Sequence, residues 1–398
     1  MKKFKYFLIP TFLIIIFSFI FNNYIDYQYN KLKNEKDISV LKHTYNTIVR
    51  DRGGLLKDQM REEGDLMIFG SSELSSTVNQ NPINMFPNNY ANYDVSIYGR
   101  AHTQSLQHSA IISSTKNLKS TDKMAIIISA QWFDFDTIKG NGTEFSVNFS
   151  ELQFYDFLNN EELSDESKHY FAERVGDQLE QSGQFIEEQI YAKLYIKKDK
   201  VSKILFNVLK PYYKFKENML RIKDKVQTIK SMKDLDNKTA NVNIRNINWE
   251  EEYYKAEQEG KSKVTNNELY VDDDYYNEYI KDNYAQVKDK WKDKDLLSAP
   301  ELGDYKLLLQ VCNELEVKPL IVLMPVNGIY YDHMGWPEDK RTEFYNEIEK
   351  LAKEHGFDVL NLQNKEYEKY YLSDVMHLGW KGWLNIDEEM YKYFKEKQ

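Results

Sequence analysis

Hydrophobic and polar positions change rhythm several times along the chain. Near the amino terminus, residues 6–21 form one apolar run, YFLIPTFLIIIFSFIF, preceded by Lys2, Lys3 and Lys5. A membrane-spanning helix needs roughly 17–25 apolar residues, and Phe4 and an interfacial Tyr24 extend this run enough to predict one. The run has no polar face, which argues against a helix of a soluble core. The segment after it, FNNYIDYQYNK, offers no small-residue cleavage site of the secretory type. Lysines ahead of the span predict a cytoplasmic amino terminus, with everything from about residue 22 outside. Pro10 inside the run removes a backbone donor, a pointer to a neighbouring helix in the membrane.

Beyond the anchor, residues 22–65 are polar with a helical look over 33–57, as a stalk or edge helix would be. Then come short, continuous apolar runs: LMIFG ending at Gly70, YDVSIYG ending at Gly99, MAIIISA ending at Ala130, PLIVLMP at 319–325 and FDVLNL at 357–362. Helical periodicity separates them at 104–114, 303–315, 341–355 and 380–395. Strands that are apolar on both faces and alternate with helices predict a parallel sheet between two helical layers. The stretch 151–298 breaks the alternation. It is charged, tyrosine-rich and helical in period, without a convincing strand. The predicted organisation is therefore an anchor (1–25), a stalk or edge helix (26–64), the first half of an α/β domain (65–150), a helical insertion (151–298) and the second half of that domain (299–398).

Composition narrows the function. Of 398 residues, 41% are hydrophobic and 29% charged, which excludes both a disordered chain and a multi-span membrane protein. The single cysteine, Cys312, excludes an internal disulfide, a zinc ribbon and a CxxC redox site. One cysteine in an exported chain suits an organism whose surface proteins rarely use disulfides, such as a low-disulfide Gram-positive one. A net charge of -10 argues against a general nucleic-acid binder. Residues 193–238 are nevertheless strongly basic, read either as a solvated helix face or as a surface for a polyanion or anionic headgroups. The acidic VDDDYY at 271–276 lacks the glycine and terminal glutamate of a calcium loop. No metal and no cofactor are expected.

In an open parallel sheet, ligands bind beyond the carboxyl ends of the strands. The residues there are Ser71, Ser72 and Glu73 after the first run, Gly99 and His102 after the second, and Gln131 and Trp132 after the third. Asn327 and Gly328 follow the fourth, with Asp332 and His333 nearby, and Asp374 and His377 follow the last. Each has an ordinary reading alone: Ser72 as a helix N-cap, Asp374 as the cap of the helix near Trp380, Gln131 as a satisfied strand-end amide. Together they form the parts of an acyl-transfer site. A serine hydroxyl needs a base, and His377 is available. Asp374, three residues earlier, is placed to orient the imidazole. The developing oxyanion needs donors, for which the backbone N–H groups of Ser72 and Gly99 and the Gln131 amide are candidates. Ser71, His102, Trp132, Asn327 and His333 are candidate walls of a substrate cleft.

Four motifs carry a resemblance. FGSSEL at 69–74, SAQWF at 129–133, MPVNGIYYDHMG at 324–335 and SDVMHLGWKGW at 373–383 resemble, in order and spacing, the DltD family of D-alanyl-lipoteichoic acid biosynthesis proteins. That family is similar in fold to the SGNH (GDSL-type) hydrolases, so the resemblance implies a three-layer α/β/α sheet with a helical insertion behind a single transmembrane helix. It places the nucleophile at Ser72, with Ser71 at the aspartate position of the Gly-Asp-Ser-Leu turn. Gly99 matches the second-block glycine, Gln131 stands where SGNH enzymes have an oxyanion-hole asparagine, and Asp374 and His377 match the Asp-x-x-His pair. The implied function is transfer of D-alanine to lipoteichoic acid outside the cell through a D-alanyl-serine ester. The implied partners are a membrane-bound O-acyltransferase, the D-alanyl carrier pathway and the polymer itself. Competing readings are a non-catalytic scaffold of that machinery, an O-acetyl transferase or esterase on a wall glycan, and a hydrolase that proofreads carrier-bound acyl groups. Topology counts against the last, since the carrier is cytoplasmic.

Overall fold

The computed structural model describes residues 20–134, 142–239 and 244–396. Five short strands build one parallel sheet: β1 (Leu66–Phe69), β2 (Val95–Tyr98), β3 (Met124–Ile128), β4 (Leu320–Leu323) and β5 (Val359–Asn361), in the order β2-β1-β3-β4-β5. Each of the five apolar runs read from the sequence supplies one strand. Side chains alternate across a strand, so the sheet feeds two cores. Met67, Phe69, Tyr98, Met124, Ile126, Ile128, Ile321 and Leu323 face one. Leu66, Ile68, Val95, Ile97, Ala125, Ile127, Leu320 and Val322 face the other.

Helices cover both faces. On the first lie Leu55–Glu63, Ser105–Ser113, Pro300–Glu314 and Glu338–Glu354, through residues such as Met60, Ile112, Leu308 and Ile348. On the second lie Trp249–Lys263 and the carboxyl-terminal Trp380–Glu396, through Ala256, Trp383, Leu384 and Met390. The α/β reading is met. The run at 6–21 lies outside the described residues except for its last two, and among the described residues no helix is long and apolar enough to cross a membrane.

Between β3 and β4 the chain is helical, without a strand among the described residues. Four helices follow one another here: Glu151–Asn159, Asp165–Ser182, Ile186–Ile196 and the 34-residue Lys200–Lys233. The first three share an aromatic core in which Phe157 stacks on Phe171 at 3.8 Å. Residues 20–35 form a helix beside the carboxyl-terminal half of the longest one. Residues 36–65 do not continue it. They break into Ser39–His43, Ile48–Asp51 and Leu55–Glu63. The fully buried Arg50 ties these breaks together by donating to the carbonyls of Leu41, Lys42 and Thr44.

The chain visits β1, then β2 on one side, then β3 on the other. That reversal opens a crevice between the carboxyl ends of β1 and β3, the place where such sheets bind ligands.

Candidate active site

β1 ends at Phe69, and the chain turns through Gly70 and Ser71 into a short helical turn, Ser72–Ser75. Two glycines make the turn possible. A Cβ on Gly99, which has φ of +136°, would lie 1.8 Å from the Gly70 carbonyl oxygen. A Cβ on Gly70 would lie 2.6 Å from Glu73 Oε1. The ends of β1 and β2 are thus nested backbone against backbone, as only glycine permits. The Ser71 N–H donates to Glu73 Oε1 at 2.6 Å, and Ser71 Oγ donates to the Arg100 carbonyl at 3.2 Å. Those bonds engage the N–H and hydroxyl of Ser71, which still lines the crevice, and leave the next hydroxyl, Ser72, to meet a base across it.

The opposite partner comes from a loop pinched shut by a bridge between Leu372 and Leu378. Asp374 Oδ1 accepts the N–H groups of Met376 and His377, both at 2.7 Å. Its Oδ2 meets His377 Nδ1 at 2.7 Å. Asp374 therefore binds its own loop and the imidazole rather than capping the helix that starts at Trp380. The loop is held from two sides: the Asn327 N–H donates to the Val375 carbonyl and the Asp272 N–H to the Ser373 carbonyl. Across the crevice, His377 Nε2 stands 2.8 Å from Ser72 Oγ. Residues 305 positions apart in sequence are brought to hydrogen-bond distance.

Electrostatics favour a basic imidazole. Burial pulls the His377 pKa down, but the Asp374 hydrogen bond and charge, with the charge of Glu73, outweigh it and hold it above the ordinary 6.5. Glu73 is itself buried, and that burial raises its carboxyl, with the Ser71 N–H and His377 acting against it. With Nδ1–H given to Asp374, Nε2 is left to accept the Ser72 proton.

Two clefts meet at this pair. One, of about 390 Å³, is walled by Trp132, Trp291, Tyr330, Tyr331 and Met334 and reaches Ser72, Gln131 and His377. The other, of about 490 Å³, is polar, with Ser75, Thr77, Glu259, Lys263 and Asp272 beside Ser72, Asp374 and His377. Tyr275, from the insertion, stands between them and lines both.

The remaining sequence candidates divide. Gln131 reaches the aromatic cleft, where its amide donates to the Tyr331 hydroxyl at 2.7 Å. Ser71, His102 and Trp132 line the same cleft. Gly99 lines neither, and its N–H is turned toward the buried carboxylate of Asp51. Its place in the site is the close backbone approach rather than a donor aimed at the crevice. Asn327 lines neither cleft. Its side chain caps the helix Gly328–His333 by accepting from the Tyr330 N–H and donates to the Leu269 carbonyl. His333 also stands apart, stacked on Tyr284 at 4.0 Å with Nε2 on the Tyr284 carbonyl. Both follow β4, the position that suggests a cleft wall, but both are spent on fixing the loop after it.

Sequence reasoning missed Tyr275 and Trp291, which enter from the insertion, and the role of Glu73. It also passed over His108, fully buried between Phe69 and Trp132, whose burial lowers its pKa to about 3. Nothing in local spacing marks the first two. Glu73 is signalled only by a carboxylate next to a glycine-serine turn.

A family model described as DltD protein matches residues 42–395. Among curated relatives, Protein DltD of Bacillus subtilis (strain 168) is 29% identical over 347 residues, covering 86% of each chain. Protein DltD of Staphylococcus aureus (strain NCTC 8325 / PS 47) is 28% identical over 352 residues, covering 86% of this chain and 85% of that one. Protein DltD of Lacticaseibacillus rhamnosus is 22% identical over 359 residues, covering 86% and 81%. A match that takes in all five strands, the serine turn and the Asp-x-x-His loop leaves one assignment: the chain belongs to the DltD family.

Proposed function

We propose that this protein acts in D-alanylation of teichoic acid, as a membrane-anchored serine acyltransferase on the outer side of the cell membrane. The observation that carries the reading is the continuous relay Ser72 Oγ–His377 Nε2 and His377 Nδ1–Asp374 Oδ2, at 2.8 and 2.7 Å. His377 removes the Ser72 proton as Oγ attacks the carbonyl carbon of a D-alanyl ester or thioester. The Gln131 amide and the Ser72 N–H receive the charge on the carbonyl oxygen. Collapse expels the leaving group, protonated by His377, and leaves D-alanine as an ester on Ser72. A glycerol hydroxyl of lipoteichoic acid then gives its proton to His377 and attacks that ester; the acyl–Oγ bond breaks, His377 returns the proton to Ser72 Oγ, and the transfer is complete. No cofactor enters either half.

Two clefts at one nucleophile favour transfer over simple hydrolysis. A donor leaves by one opening while the acceptor enters by the other, so the ester need not wait in water for its acceptor. The amino-terminal run, if it spans the membrane, keeps the site near a membrane-bound O-acyltransferase partner, raising its effective concentration there.

The test is the base-labile D-alanyl ester content of walls from cells carrying Ser72→Ala or Ser71→Ala, at matched protein abundance. The reading expects esters to disappear with Ser72→Ala and to persist with Ser71→Ala. Esters that persist with Ser72→Ala would point instead to a scaffold. Esters normal in both, with O-acetyl groups altered, would point to wall-glycan chemistry.

A further inference from the structure

The helix Lys200–Lys233 is packed along only part of its length. Its buried residues are Tyr213, Glu217, Asp224, Thr228 and Met232, and none precedes Tyr213. The opposite face carries seven large apolar side chains in the open: Val201, Ile204, Leu205, Val208, Tyr212, Phe215 and Met219. Val201 and Val208 are 75% and 69% exposed. The spacing of three and four residues puts them on one stripe of a helix. Lys197, Lys198, Lys200, Lys203 and Lys210 are exposed nearby, and none is in an ion pair among the described residues. An uninterrupted apolar stripe of this size on a folded chain marks a surface that meets something.

The neighbouring helix shows which side of the molecule this is. Lys225 Nζ bonds Asp26 and Asn22, and Lys36 Nζ bonds the Leu235 carbonyl at 2.6 Å. Ten residues separate the contacts on each helix, so residues 20–35 run parallel to 219–235. Followed toward the amino terminus, the described chain ends at Ile20, within the apolar run at 6–21. That end stands level with about residue 219, where the exposed stripe begins. The stripe thus extends, by roughly 27 Å at 1.5 Å per residue, from the point where the apolar amino terminus leaves the described structure.

We infer that the amino-terminal half of this helix lies in the headgroup layer of an anionic membrane, as a second contact beside the amino-terminal anchor. The chemistry fits an interfacial helix: a one-sided apolar stripe, lysines at its amino-terminal end and on the side turned away from the stripe, and too many charges to cross the bilayer. The lysines supply attraction to anionic lipid that the chain as a whole, at -10, does not. Two attachments fix the orientation of the domain, where a single anchor would leave it free to tilt.

The experiment places an environment-sensitive label on Val208→Cys and, separately, on Phe215→Cys, in the full chain reconstituted into phosphatidylglycerol–phosphatidylcholine vesicles. Cys312 is fully buried and free. A label on Tyr254→Cys, 66% exposed on another helix, is the control. Quenchers carried on lipid acyl chains are expected to dim both stripe labels several-fold more than the control, and dissolved iodide to do the reverse. Equal quenching by lipid at all three positions overturns the inference. Stripe labels shielded from both quenchers would also overturn it, since the stripe would then be covered by protein: residues 1–19, a second copy or another partner.

Discussion

In the sheet, every residue of β1, β2, β3 and β4 is buried. In the first 13 residues of the long helix, from Lys200 to Tyr212, none is. Both regions are rich in large apolar side chains, so composition does not explain the contrast. The sheet's side chains find partners within the chain and hold a backbone to which glycine turns and a hydrogen-bonded loop are fastened. The helix holds its shape through its packed carboxyl-terminal half, since a piece of about 13 residues alone is marginal in water. One region spends its apolar surface on placing Ser72 and His377, and the other keeps it for something outside the chain. Substitutions in the two regions should therefore fail in different ways.

The largest effect belongs to the sheet edge. Ser72→Ala or His377→Ala should lower the rate of acyl transfer by ~10⁴-fold or more, with the melting temperature little changed. Ser71→Ala should cost far less, because Ser71 Oγ is spent on the Arg100 carbonyl. Equal losses from the two serines in a transfer assay would break the contrast between the hydroxyl that meets His377 and the one spent on a carbonyl.

Next comes the residue that orients the base. Asp374→Asn should slow the reaction by roughly 10³–10⁴-fold and move its pH profile. His377 must be neutral to act as base, and Asp374 raises its pKa above 6.5 against the pull of burial. Activity should therefore fall as pH drops through a midpoint above 6.5, and the residual activity of Asp374→Asn should hold to lower pH. A midpoint that stays in place would mean that Asp374 does not govern the imidazole.

A smaller effect separates folding from chemistry. Gly99→Ala puts a Cβ 1.8 Å from the Gly70 carbonyl oxygen at a positive φ, and should destabilise the domain by about 3 kcal/mol. Denaturant unfolding reads this directly. Val208→Asp, on the exposed stripe, should change stability by no more than about 0.5 kcal/mol. A large loss there would mean that the stripe is packed within the chain after all.

The two regions also differed in how much their sequences disclosed. β1 to β4 are buried on both faces and almost wholly apolar, and the half-buried β5 still carries a short apolar run, so each of the five runs announced itself, and the residues after them could be compared across one sheet edge. Ser72, Asp374 and His377 were legible because each ends or follows such a run. Asn327 and His333 satisfied the same rule and were misread, since position after a strand does not say where a side chain points. Tyr275 and Trp291 reach the clefts from the insertion, whose path over the sheet is set by contacts far apart in sequence. The insertion's basic character was plain, but its stripe was not read. Pro211, inside the helix, obscures its continuity, and an apolar face bound for a partner has the same spacing as one bound for a core.

The most direct test of the account is to look for the ester itself. Membranes containing the full chain and the rest of the D-alanylating machinery would be supplied with labelled D-alanine, quenched in acid and digested, and the peptide spanning FGSSEL examined by mass spectrometry. The account predicts one alanyl group on Ser72, absent from Ser72→Ala and discharged when lipoteichoic acid is added. An alanyl group on Ser71, or full transfer to the polymer by Ser72→Ala, would contradict it.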